Sequence, residues 1–196
     1  MELSDVTVLT GPDLVPRHCR KFAVRDGVVD RVDAGDPVTR PVGDGLVVIP
    51  GLINGHTHMG DSAFPDGATG LTLEEGFFRP HGLKYRELAR LGAAEHHEHL
   101  VAALRYMART GTVAHIDFRE QGREGAGRLR AAAEATGIRS VILGQFDSVP
   151  FPEESLHANA ERLPADARAE LEGVLEVADG FSESTMNDLT DPAWKQ

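Results

Sequence analysis

Over residues 1–49 apolar and polar positions alternate in short runs, and from residue 50 onward strand patterns alternate with helix patterns. The run at 6–9 is rich in β-formers and is closed by Gly11-Pro12. Runs at 22–24 and 28–32 flank Asp26-Gly27, whose glycine tolerates the positive φ of a tight hairpin turn. A further strand is expected at 46–49, ended by Pro50-Gly51. These 49 residues are too few to bury a comfortable core alone.

Beyond Gly51 a strand is expected over 52–58, then a Gly/Pro/Asp-rich stretch over 60–82. Leu88, Leu91, Leu100, Leu104 and Met107 recur at helical spacing and predict one helix over 84–109. A second strand is expected at 112–118, a helix at 124–136 stopped by Gly137, and a third strand at 139–145. A helix opening at Pro164, a fourth strand at 174–178 and a last helix from about Asp188 complete the chain. Strand followed by helix, four times over, implies parallel strands with helical crossovers. The predicted fold class is α/β, with a small N-terminal unit of short β-strands over 1–49. The first half of a (β/α)8 barrel, about four βα units, follows over 50–196. A complete barrel takes ~250 residues.

Acidic residues outnumber basic ones 31 to 20, for a formal net charge of -11. That argues against nucleic acid and anionic membrane surfaces as partners, since both attract positive charge. Of the basic residues only Lys21, Lys84 and Lys195 are lysines. Cys19 is the single cysteine, which excludes an intramolecular disulfide and a cysteine-based zinc cluster. Without a placed base it reads as a small apolar filler. No basic segment followed by an apolar stretch opens the chain, and no window reaches the ~20 apolar residues of a membrane helix. The expected compartment is the cytoplasm.

The chemistry is concentrated in Pro50-Gly51-Leu52-Ile53-Asn54-Gly55-His56-Thr57-His58-Met59-Gly60-Asp61. On a strand His56 and His58 share a face, with Cα atoms ~6–7 Å apart, so both imidazoles can reach one metal at ~2.0–2.1 Å. They close the strand beside a long loop, where barrel enzymes build their active sites. The run over 48–58 resembles the amidohydrolase superfamily, in the branch of the cytosine deaminases, chlorohydrolases and imidazolonepropionases. Gly111-Thr112 through Asp117-Phe118-Arg119-Glu120 is similar to that family's second strand, and Phe22 to Val29 to its N-terminal β-sandwich.

The resemblance implies that His56 and His58 are ligands to a divalent metal, zinc or else iron. It implies hydrolysis of a C–N bond other than a peptide bond, in a small-molecule substrate such as a heterocyclic amine. The family's other ligands and its acid–base groups come from later strands, so no catalytic residue is assigned here. With no lysine between Lys84 and Lys195, the subtype that bridges two metals with a carboxylated lysine is disfavoured.

Arg119 and Glu120, at the mouth of the second strand, are candidate substrate contacts. Asp61 opens the long loop, where it orients a ligand histidine, touches substrate or simply forms a turn. His115 and Asp117 share a strand face and read as a hydrogen-bonded structural pair. The cluster Glu95-His96-His97-Glu98-His99 fails the His-Glu-x-x-His pattern and reads as a solvated helix face. Two functions are therefore expected: a metal-dependent hydrolase, weak or inactive as this chain alone, or a non-catalytic half-barrel. The second folds or works only with a second copy or a separate C-terminal half.

Overall fold

Hydrogen bonding sorts the strands into two four-stranded sheets, one in each of two units, Met1–Gly51 and Leu52–Gln196. The computed structural model describes residues 1–196.

In the first unit β1 (Glu2–Thr10), β2 (Val15–Arg25) and β3 (Val28–Pro37) form an antiparallel meander. The short β4 (Val47–Val48) adds in parallel to β1, giving the order β3-β2-β1-β4. Asp26 and Gly27 turn the β2–β3 hairpin with φ of 50° and 77°, the left-handed values a two-residue turn requires. Val6, Val8, Cys19 and Phe22 form the unit's small core. Cys19 is fully buried there, as an apolar filler would be.

The second unit holds a parallel sheet, order β5-β6-β7-β8, from β5 (Leu52–Thr57), β6 (Thr112–Arg119), β7 (Arg139–Gly144) and β8 (Gly180–Phe181). Helices α1 (Leu73–Phe77), α2 (Leu83–Arg90) and α3 (Ala93–Arg109) lie between β5 and β6. Helix α4 (Gly122–Thr136) joins β6 to β7, α5 (Glu153–Ala158) and α6 (Ala165–Leu175) join β7 to β8, and α7 (Asp191–Trp194) follows. Leu100 and Leu104 of α3 pack with Ala126, Leu129 and Ala132 of α4 and with Ile142 of β7 in the main core. None of these helices is long and apolar enough to cross a membrane. The β unit followed by parallel strand–helix units is the architecture the hydrophobic pattern predicts.

Three local expectations are corrected. The helix expected over 84–109 is two helices, because Leu91 is extended (ψ 130°) and Gly92 starts α3 afresh (ψ 148°). The strand expected at 174–178 is the end of α6 and its exit. Val174 is a fully buried helical residue packed on Gly144, and the strand itself is Gly180–Phe181. Over so short a run a buried helix face and a buried strand have the same pattern.

The solvated histidine face is also not what forms, since His96 is buried. Its Nδ1 lies 3.2 Å from Arg128 Nη1 and its Nε2 3.4 Å from Arg119 Nη2. Burial, then the two guanidiniums, push its pKa down to about 4. The ring is thus neutral beside two cations, with one nitrogen accepting and the other carrying the proton.

The unfolded chain binds a proton at His96 below about 6.5, and the folded chain only below about 4. Stability from this site therefore falls as pH drops through that window. Urea unfolding at pH 7 and pH 4.5 should show the wild type losing more stability than His96→Gln. Parallel losses would contradict a buried neutral histidine.

Candidate functional site

Parallel pairing of β5 with β6 sets Asn54 beside His115 and Thr57 beside Asp117, so residues 56–61 and 117–120 meet at the same sheet end. The register slips between Asn54 and Thr57, and the Asn54 Oδ1 accepts the His56 N–H at 3.2 Å.

Beneath this turn the Thr57 hydroxyl lies 2.9 Å from His115 Nδ1 and 2.8 Å from Asp117 Oδ1. Asp117 Oδ1 also accepts the Met59 N–H at 2.7 Å, and His115 Nε2 lies 2.6 Å from Ser140 Oγ. His115 and Asp117 are both buried and joined through Thr57, as a structural pair would be. Burial raises the Asp117 carboxyl to a pKa of about 6.

The Nε2 atoms of His56 and His58 stand 3.2 Å apart. Two imidazole nitrogens bound at ~2.0–2.1 Å to one tetrahedral metal stand ~3.3–3.4 Å apart, so the pair has the spacing of two ligands to one ion. The His56 ring stacks on Phe118 with centroids 4.4 Å apart, which limits its rotation. His58 Nδ1 faces Glu120 Oε1 at 2.9 Å and the Phe118 carbonyl at 3.1 Å. Both are acceptors, and they favour the His58 tautomer with its proton on Nδ1 and the Nε2 lone pair toward His56. A carboxylate behind a ligating histidine fixes its tautomer and raises its basicity. Accordingly the hydrogen bond to Glu120 outweighs burial and raises the pKa of His58.

Glu120 is almost fully buried. Burial favours its neutral form, but His58, Lys84 and Arg119 outweigh that and hold it well below the usual carboxylate range. Lys84 of α2 is buried too, ion-paired with Glu120 Oε1 and 3.2 Å from Asp61 Oδ1. Glu120 also lines a cavity of about 730 Å³ together with Arg79, Tyr85, Leu88, Phe151 and Leu156.

The structure thus brings together His56, His58, Glu120 and Asp61. It turns Arg119 away: that side chain is fully buried, its guanidinium on the Gly125 carbonyl (3.2 Å) and Gln121 Oε1 (3.1 Å). Its Nη1 lies so close to Gly60 that a Cβ there would stand 2.1 Å from it, so a side chain at residue 60 would have to displace the guanidinium. Gly125 is constrained likewise, since a Cβ would fall 1.9 Å from the Glu120 carbonyl oxygen. Lys84 is the site residue that the sequence reading missed. Its signal was a lone lysine at the start of an apolar-faced helix, in a chain that otherwise uses arginine. No three or more His, Cys, Asp or Glu side chains converge as a complete metal-ligand set.

No protein-family model matches the chain. A putative aminohydrolase of Methanothermobacter thermautotrophicus is 34% identical over 190 residues, covering 94% of this chain and 46% of that protein. An uncharacterized protein of Methanocaldococcus jannaschii is 31% identical over 150 residues, 76% of this chain and 35% of that one. Among solved structures, atrazine chlorohydrolase TrzN from Arthrobacter aurescens TC1, complexed with zinc, superposes with a TM-score of 0.58. The identity is 16%, over 94% of this chain and 44% of that one. An amidohydrolase structure gives 0.51 at 17% identity, over 98% of this chain and 49% of that one. The chain spans less than half the length of each of these proteins.

Asp117 holds the turn after His58 by accepting hydrogen bonds, and its charge is not needed for that. Asp117→Asn, which keeps one acceptor oxygen, should stay within ~1 kcal/mol of wild type at pH 7. Asp117→Ala should cost ~1–3 kcal/mol more than Asp117→Asn, because it leaves the buried Met59 N–H without its partner. Equal costs for the two variants in urea unfolding would contradict this role.

Proposed function

We propose that the chain belongs to the amidohydrolase superfamily and carries the first-strand half of a divalent-metal site, with His56 and His58 as the two ligands. The observation behind this reading is the 3.2 Å approach of the two Nε2 atoms, with Glu120 holding the proton of His58 on Nδ1. A catalytic zinc takes three protein ligands, so this pair is part of a set and the remaining ligands lie outside it. Zinc is the proposed metal and iron the alternative. When bound, the metal supplies Lewis acidity and lowers the pKa of coordinated water.

The chain's own groups do the rest. With the His58 proton on Nδ1, the hydrogen bond between the rings is donated by His56 Nε2, and the His56 tautomer that would hold a metal through Nε2 is the one with its proton on Nδ1. Phe118 keeps the His56 ring in place and shields one face from water. Asp61 and Glu120 are the proposed polar contacts for substrate at the mouth of β5 and β6. Arg119 serves them from below by filling the space under Gly60. The proposed reaction is hydrolysis of a C–N bond other than a peptide bond in a small heterocyclic amine, in the cytoplasm. As this chain alone, the activity is expected to be weak or absent.

A second reading has its own observation. Strands β5 and β8 are open edges of the parallel sheet, and Ile53 is 71% and Val113 54% exposed on β5 and β6. Such edges and apolar surface favour association, with a second copy or with a separate polypeptide that completes the barrel.

Equilibrium dialysis of the chain with Zn²⁺ should show one bound ion, lost in His56→Ala and in His58→Ala. Binding unchanged in both variants would overturn the ligand assignment, and brisk turnover by the isolated chain would overturn the expected inactivity. Sedimentation should show a dimer or larger species if the second reading holds, and a stable 21.2 kDa monomer contradicts it.

A further inference from the structure

Three groups surround His58 Nδ1. Glu120 Oε1 at 2.9 Å and the Phe118 carbonyl at 3.1 Å are acceptors, whereas Lys84 Nζ at 3.4 Å is a donor only. The two kinds of neighbour ask for opposite tautomers. Had the ammonium donated to Nδ1, the ring proton would sit on Nε2 and block the atom that faces His56. Lys84 is instead drawn off by two carboxylates, Glu120 Oε1 in direct contact and Asp61 Oδ1 at 3.2 Å.

Without the ammonium, Glu120 would be a buried carboxylate whose remaining cation is Arg119, with Nη1 3.6 Å from Oε2. Both of those atoms lack a hydrogen-bond partner. Glu120 would then turn toward the guanidinium and away from His58. Lys84 reaches the site from α2, and nothing in the His-Thr-His motif specifies it.

We propose that Lys84 is a positioning residue, which pins Glu120 against His58 so that the His58 proton stays on Nδ1 and Nε2 stays free for a metal. The proposal rests on the reading of His56 and His58 as metal ligands, and it has a readout in the metal-free chain.

That readout is the long-range ¹H–¹⁵N correlation of the histidine rings, recorded at a pH raised until the spectra are those of neutral rings. The wild type should show His58 protonated on Nδ1. Lys84→Met should show a mixture of tautomers, with Zn²⁺ affinity weakened about 10–100-fold. Lys84→Arg, which can still donate to Glu120, should restore both.

A wild-type proton on Nε2 overturns the proposal, as does a Lys84→Met chain with the wild-type tautomer and unchanged affinity. If circular dichroism shows that Lys84→Met does not fold, the wild-type tautomer and Lys84→Arg decide the matter. A tautomer that responds to Lys84 in chains that bind no Zn²⁺ supports the positioning role and refutes the metal reading separately.

Discussion

The site depends on the parallel pairing of β5 with β6. That ladder joins segments about 60 residues apart, placing Thr57 beside Asp117 and thereby His58 beside Glu120. Parallel pairing requires a helical crossover. The crossover here carries α2, so the connection that permits the pairing also delivers Lys84 to the carboxylate at its end. Backbone, histidine tautomer and buried counter-charge are therefore consequences of one topological choice.

Burial then separates two kinds of polar residue on β6. His115, Asp117 and Arg119 face the helices and are consumed by neighbours there, namely Ser140, the Met59 N–H and the Gly125 carbonyl. Phe118, on the opposite face, meets the His56 ring. Glu120 lies just past the strand, where it can reach across to β5. Alternation alone thus divides scaffold from site, and the glycines at 60 and 125 let the scaffold side close up.

Much of this was legible in the residues. The alternating pattern predicted a small β unit and then parallel strands with helical crossovers. Asp26-Gly27 marked its hairpin, and the His-Thr-His run marked the candidate site. What was not legible was long-range. Nothing local distinguishes a histidine that will lie between two arginines from one in water, so His96 was misplaced. Arg119 and Glu120 are adjacent in sequence and both buried, yet Arg119 ends the strand facing the helices while Glu120, just past it, reaches His58. Lys84 was invisible because its meaning comes from a partner 36 residues away. The run at 174–178 failed for a different reason, since four or five apolar residues carry no period long enough to separate helix from strand.

The most direct test of this account is anomalous diffraction at the zinc edge from crystals of the chain grown with Zn²⁺. The account predicts one peak lying ~2.0–2.1 Å from the Nε2 atoms of both His56 and His58, with Glu120 still on His58 Nδ1. A peak held instead by Glu120 and Asp61 with Lys84 displaced, or a site that binds only one of the two histidines, would contradict it.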